Sequence, residues 1–174
     1  EQRQFEKVLG WNKTPEKLQR LAEVAQEKDV PFQAVSLAQL CREADAIITI
    51  TSSFVPVIAA GLIRPGTHLA CMGTDTRGKQ EVAPEIVGGS TVFTDEIEQS
   101  ISIGEAQHAF SQGLLDPARI ISIGDVINGD HPGRRSLEEI TLFDGTGVGV
   151  QDLAVASVAV DLAVAQGMAI EIDV

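Results

Sequence analysis

Positive charge is scarce in this chain. Thirteen lysines and arginines stand against 25 aspartates and glutamates, a formal net charge of −12. Nucleic acid is thereby excluded as a partner, since phosphate binding needs clustered Lys and Arg. Cysteine is scarce too: Cys41 and Cys71 are the whole supply, and they form no C-x-x-C pair. That removes a zinc site or a disulfide framework and leaves reduced thiols in a cytoplasmic protein as the expectation. His68, His108 and His131 are too widely spaced to share a ligand pattern, so no metal is expected. The longest apolar run, residues 153–165, is broken by Ser157 and Asp161. No stretch reaches the ~18 to 20 apolar residues that span a bilayer, so no membrane partner is expected. The polar start, residues 1–6, has no apolar core of a secretory signal. There is no G-x-S-x-G elbow, no Ser/His/Asp arrangement, no internal repeat and no low-complexity tract.

What is present is enough for one globular domain with a real core: 174 residues, of which 44% are hydrophobic. Residues 7–11 read as a strand. Thr14 then offers an N-cap hydroxyl, Pro15 the first helical position and Glu16 an acid for the helix dipole. Leu18, Leu21, Ala22 and Ala25 follow at helical spacing, which predicts an amphipathic helix over 15–27. Residues 32–35 read as a strand, and Ser36 caps a short helix containing Leu37, Leu40 and Cys41. The β-branched run 46–50 reads as a strand buried on both faces. Residues 58–63 read as a helical turn or irregular chain, 68–72 as a strand, 84–87 as a helical turn and 91–94 as a strand. Helical stretches follow around 96–100 and 104–112. Residues 140–143 read as a strand, 148–166 as a long Ala/Val-rich helix, and 169–172 as a final strand. This alternation predicts an α/β fold with a Rossmann-like, doubly wound, mostly parallel sheet whose ligands bind at the carboxyl ends of the strands.

Four strand-end loops carry candidate chemistry. Asn12-Lys13-Thr14 follow the first strand. If that is the second strand of a doubly wound nucleotide site, its end meets the adenine ribose. An acid there suits NAD, whereas the neutral Asn12 and basic Lys13 favour NADP. The alternative is a helix cap beside a solvated lysine. Thr49-Ile50-Thr51-Ser52-Ser53 places small hydroxyl residues at a strand end, where a ligand approaches closely, although ordinary loops carry them too. Met72-Gly73-Thr74-Asp75-Thr76-Arg77-Gly78-Lys79 combines a flexible backbone, an acid and two cations. A carboxylate in a dry cleft beside cations acquires a tuned pKa and serves as acid or base. A surface turn with local ion pairs has the same spacing. Gly145-Thr146-Gly147-Val148-Gly149 lies between a strand and a helix, the setting of a phosphate-cradling loop. A dinucleotide fingerprint would need glycine where Val150 stands, and an acid about 20 residues on that the chain cannot supply within a βαβ unit. The alternative is a tight turn that packs the helix on the sheet.

Taken in order, these stretches resemble one family. They are Trp11-Asn12-Lys13-Thr14-Pro15-Glu16-Lys17, Ala44-Asp45-Ala46-Ile47-Ile48, Pro65-Gly66-Thr67-His68, Gly73-Thr74-Asp75-Thr76-Arg77-Gly78-Lys79-Gln80-Glu81, Pro132-Gly133-Arg134-Arg135 and Thr141-Leu142-Phe143-Asp144-Gly145-Thr146-Gly147. The resemblance is to the ornithine cyclodeaminase/mu-crystallin family. It implies a two-part protein, with an N-terminal region that makes the substrate pocket and dimer interface and a Rossmann domain that binds NAD(P). It implies that Asp75 is the catalytic carboxylate and contacts substrate. Met72, Gly73, Thr74 and Lys79 would line the nicotinamide end, and Thr51 would touch the cofactor. Gly145 and Thr146 would cover nicotinamide and substrate, and Asn12 would face the adenosine ribose, with Lys13 and Thr14 beside it.

The implied activity is hydride transfer at C2 of a small amino or imino acid, by an ornithine cyclodeaminase-like enzyme, an amino-acid dehydrogenase or an imine reductase. The alternative is a non-catalytic, mu-crystallin-like binder of cofactor and small ligand; Asp75 and Lys79 favour the enzyme. The family's glycine-rich loop and the substrate-binding lysine and arginines of its N-terminal region find no counterpart between Glu1 and Val174. The chain starts at Glu1 and runs almost at once into a strand. Residues 1–174 are therefore expected to be the cofactor domain and C-terminal helix of a longer, homodimeric protein, inactive by themselves.

Overall fold

Short strands and short helices alternate along the chain in the computed structural model, which describes residues 4–170 and 172. Strand β1 (Val8–Gly10) ends in a turn where the Asn12 side-chain oxygen accepts the Thr14 amide at 2.8 Å. Pro15 then opens a 3-10 turn, Pro15–Leu18, that runs on into α1 (Gln19–Glu27). Thr14 holds the N-cap position, but its hydroxyl makes no capping bond. The expected cap is thus corrected: Asn12, two residues earlier, organises the turn instead. Strand β2 (Phe32–Ala34) pairs in parallel with β1. Helix α2 (Leu37–Glu43) starts as expected, with the Ser36 hydroxyl accepting the Gln39 amide at 3.2 Å.

Strand β3 (Ala46–Thr49) departs from expectation. Ile47 and Thr49 are buried, while Ile48 is 73% exposed. The run is buried on one face only: the core packs against Ile47 and Thr49, and no described element covers the face of Ile48. Strand β4 (Phe54–Ile58) forms just before the segment read as helical or irregular. It follows an irregular segment, residues 50–53, and Pro56 disguises it. Proline donates no ladder hydrogen bond, and the pairing register shifts between Phe54 and Ile58.

Strand β5 (His68–Cys71) matches its expectation, and β6 (Gln80–Val82) pairs with β4 in a small parallel sheet. Next come α3 (Pro84–Gly89), β7 (Thr91–Thr94), α4 (Ile97–Ser102) and α5 (Gln107–Ser111). The two-residue β8 (Ile121–Ser122) and α6 (Ile123–Asn128) were not foreseen. Strand β9 (Thr141–Asp144) and the long helix α7 (Gly149–Ala165) complete the order. The final strand expected over 169–172 does not form: residues 168–170 and 172 are irregular, and Glu171 lies outside the described residues.

The main sheet has the order β3-β5-β9-β7-β8, and every pair in it is parallel. Register places Ile47, Leu69, Leu142 and Val92 side by side across four strands. All four belong to the buried core, with Cys41 and Val87 packed on the same cluster. Two residues further on, the same face carries Thr49, Cys71, Asp144 and Thr94, also in register and buried. The core face therefore changes from apolar to polar at the carboxyl ends of the strands. Cys41 and Cys71 are both buried and free. Among the described residues no helix is long and apolar enough to cross a membrane.

Candidate active site

The polar row at the strand ends puts three loops side by side. The Met72 amide donates to the Thr49 carbonyl at 2.8 Å, and the Gly145 amide to the Cys71 carbonyl at 3.0 Å. The loops after β3, β5 and β9 thus leave the sheet in step. They bring together Thr51, Met72, Gly73, Thr74, Asp75, Lys79, Gly145 and Thr146. The Met72 thioether lies so close to Gly145 that a Cβ there would sit 2.7 Å from its sulfur. Asn12, Lys13 and Thr14 stand apart, after the end of β1 in the two-stranded β1–β2 sheet. Asn12 is half-buried and occupied by its turn, and Lys13 is exposed.

Asp75 faces solvent. Its Oδ1 accepts from Lys79 Nζ at 2.6 Å and from the Thr76 hydroxyl at 3.1 Å. The Lys79 hydrogen bond, helped by Thr76, holds the Asp75 carboxyl below its ordinary value, so it is ionised at neutral pH. In this part of the protein Asp75 is not in a dry cleft; its tuning comes from one cation four residues away.

Beneath the loops lies a layer of carboxylates that the sequence did not single out. Glu81 on β6 is fully buried. It accepts from the Thr49 hydroxyl at 2.8 Å, the Thr51 amide at 2.5 Å and the Gly73 amide at 2.9 Å. Glu105 accepts from the Thr74 hydroxyl at 2.5 Å and from the Glu81 and Val82 amides at 2.9 and 2.7 Å. Burial pushes Glu105 up to about 7, against the pull of those bonds. Asp144 accepts from the Ser100 hydroxyl at 2.6 Å and the Ala106 amide at 3.2 Å, and burial raises it to about 6. Its second oxygen has no partner. A Cβ on Gly104 would lie 2.6 Å from Asp144 Oδ2, so only glycine lets α4 and α5 close over that carboxylate.

Asp95 decides between the two readings of the glycine-rich loop before α7. Its carboxylate accepts from the Thr146 amide at 3.0 Å, the Thr146 hydroxyl at 2.6 Å and the Gly147 amide at 3.0 Å. Burial raises the Asp95 carboxyl, but these bonds outweigh it and leave the group below its ordinary value. The amides that would cradle a phosphate are already taken by an anion of the protein. Residues 145–149 are therefore a turn pinned from β7, not a phosphate loop. The sequence carries no signal that marks these acids as buried: Glu105 lies between Gly104 and Ala106, but Glu81 follows the polar pair Lys79-Gln80 as a solvated acid would. Among the described residues, no group of three or more His, Cys, Asp or Glu is placed to hold a metal.

A parallel sheet with helical crossovers, and with its loops gathered at the carboxyl ends of the strands, defines a Rossmann-like α/β domain. Its membership is equally clear: the chain belongs to the ornithine cyclodeaminase/mu-crystallin family, whose model matches residues 1–167. The iminosuccinate reductase of Paracoccus denitrificans is 52% identical over 170 residues, 98% of this chain and 53% of that protein. Its crystal structure with NAD+ superposes with a TM-score of 0.95, covering 99% of this chain and 53% of the other at 51% identity. An alanine dehydrogenase of Archaeoglobus fulgidus is 38% identical over 136 residues, 78% of this chain and 42% of that protein. The Δ1-pyrroline-2-carboxylate reductase of Thermococcus litoralis, solved with NADH and L-proline, is 26% identical with a TM-score of 0.91, over 96% of this chain and 53% of that one. The chain spans about half the length of the relatives it matches.

Proposed function

We propose that residues 1–174 are the cofactor-binding portion of a two-domain, homodimeric NAD(P)-dependent oxidoreductase that acts at C2 of a small imino acid. The observation that carries this reading is the Asp75 carboxylate, exposed in the loop after β5 and bonded to the half-buried Lys79, beside the close approach of Gly73 to Thr51. The place of the site suits a nicotinamide dinucleotide: Gly73 and Gly145 let Thr51 and Met72 pack tightly between the loops, and those loops lie at the carboxyl ends of adjacent parallel strands, where such sheets bind their ligands. When bound, the nicotinamide supplies or accepts the hydride.

The chain's own residues do the rest. Lys79 keeps Asp75 charged until a substrate nitrogen arrives. Asp75 then holds the cationic nitrogen of the imine and manages its proton, and takes that proton when the reaction runs toward oxidation. Thr51, Gly73 and Gly145, held in step at the strand ends, would hold the nicotinamide, and a fixed placement of ring and substrate would supply much of the rate. The identity with an iminosuccinate reductase supports reduction of a preformed imine, with aspartate as product. The test is turnover of the full-length protein with iminosuccinate, Δ1-pyrroline-2-carboxylate, and pyruvate with ammonia, followed by loss of NADH or NADPH. Iminosuccinate should be reduced fastest; absence of turnover with every imine refutes the proposal.

If β1 is the second strand of the nucleotide site, Asn12 and Lys13 take the place of the acid that would select NAD(H), which favours NADP(H). Relatives solved with NAD+ or NADH weigh toward the other choice. Comparing kcat/KM for the two cofactors decides it. If NADP(H) is preferred, Asn12→Asp should shift the preference toward NAD(H).

A further inference from the structure

Glu81 is buried, bears no cation partner among its hydrogen bonds, and is left unused by the chemistry proposed above. A buried carboxylate is costly, so its bonds call for a reason beyond filling space. Its oxygens divide the work. Oε1 takes the Thr51 amide, and Oε2 takes the Gly73 amide and the Thr49 hydroxyl. Thr51 belongs to the loop after β3 and Gly73 to the loop after β5, while Glu81 itself sits on β6, in the small sheet with β4. One side chain from a separate sheet therefore ties two loops of the main sheet to each other.

The two loops have no slack. A Cβ on Gly73 would lie 2.7 Å from Glu81 Oε1, and closer still to the Thr51 carbonyl. The Glu81 amide in turn donates to Glu105, which also holds the Thr74 hydroxyl, the residue next to Asp75. We propose that Glu81 is a positioning residue: its carboxylate clamps the Thr51 and Gly73 amides at one spacing, and so sets the floor on which the nicotinamide lies and the start of the Asp75 loop. This rests on the oxidoreductase reading of the same site.

Donor and acceptor counting shows why the residue needs two acceptor oxygens. The Thr49 hydroxyl turns to donate or accept, but an amide N–H only donates. Glutamine at position 81 has one acceptor oxygen and one NH2. Whichever way it is placed, the NH2 faces either the Thr51 or the Gly73 amide, and one half-buried donor loses its acceptor in the protein. Glutamine keeps the volume of Glu81 and releases one loop.

The experiment titrates full-length protein with NADH by fluorescence and measures turnover of the imine. Glu81→Gln should keep the full number of NADH sites, raise Kd about 10- to 100-fold, and lower kcat by at least about 10-fold, the scale of one donor left without its acceptor. Thr49→Val strips the hydroxyl and keeps both amides, so it should shift Kd and kcat the same way by only a few-fold. A merely structural Glu81 behaves otherwise: fewer sites titrate and Tm falls, while the remaining sites keep wild-type Kd and kcat. That result overturns the proposal, as does a Glu81→Gln protein that matches wild type. If Glu81→Gln does not fold, Thr49→Val carries the test, and unchanged Kd and kcat in it overturn the clamp. A wild-type protein that binds neither NADH nor NADPH overturns the oxidoreductase reading and the clamp with it. Wild-type binding beside an unaffected variant overturns the clamp alone.

Discussion

The Asp75 carboxylate is bonded to Lys79 at 2.6 Å and keeps much of its surface in water. Asn at that position preserves size and most hydrogen bonding but exchanges no proton. In full-length protein Asp75→Asn should leave NAD(P)H affinity and Tm nearly unchanged and lower kcat by roughly 10²- to 10⁴-fold. More than about a tenth of wild-type kcat in an intact fold removes Asp75 from proton transfer, since even the low end of that range is then missed. Lys79 adds a pH test. Its bond is the largest cause of the lowered Asp75 value. Lys79→Met should therefore move the acid limb of the kcat/KM profile to higher pH, and an unmoved limb shows that Asp75 is not the group titrating there. Two glycines separate close backbone packing from simple convenience. A Cβ on Gly73 meets backbone of Thr51, whereas one on Gly145 meets the movable tip of Met72. Gly73→Ala should cost roughly 1 to 3 kcal/mol and loosen NADH binding; Gly145→Ala should cost clearly less. Denaturant melts of both variants check this, and equal costs contradict it. The loop residues were legible because strand ends are where such folds bind ligands. The buried acids were not, since a sequence does not show which acids are solvated; Glu81, Glu105, Asp95 and Asp144 look like any others in a chain with 25 of them.

Strand ends carry an unusual pH signature. Burial raises Glu105 from 4.5 to about 7 and Asp144 from 3.8 to about 6. A group whose pKa is higher folded than unfolded contributes stability that is complete below the unfolded value and lost as pH climbs through the folded one. Both therefore weaken the fold between about pH 4 and 7, by a few kcal/mol in all as an order of magnitude. The urea midpoint should fall on going from pH 5 to pH 8. Glu105→Gln can still donate to Thr74 and accept from Val82, and it does not titrate. It should flatten the upper half of that fall; an unchanged slope locates the effect elsewhere. At this scale β5, β7, β9, α1 and α2 were legible from apolar runs, caps and helical spacing. Strand β4 was hidden by Pro56, and β8 with α6 by brevity. The one-sided burial of β3 depends on what lies across the sheet, which local composition does not encode.

In the whole molecule the alternation of strands and helices was legible, because a parallel pair needs a crossover and a crossover has length. What covers α7 was not. Its side chains are apolar on every side, and Val150, Leu153, Val155, Val158, Val160, Leu162 and Val164 are all exposed. A helix that is apolar all round is ordinarily buried. Residues 1–174 alone should bind a hydrophobic dye and self-associate in sizing experiments, and the full-length protein should do neither. A monomeric, dye-silent 1–174 chain contradicts this. The place of β9 has a consequence of another kind, in the order of synthesis. Strand β9 is the middle of the main sheet, between β5 and β7, yet it is the last of its five strands along the chain. Until residue 144 has left the ribosome, β5 and β7 have no common neighbour, and their inner edges stay open. The nascent chain must hold two unfinished half-sheets apart for some 50 residues, and the sheet then closes in one late event. Arrested chains that end before Thr141 should be cut readily by protease, and chains in which Asp144 has emerged should become resistant together from β3 to β9.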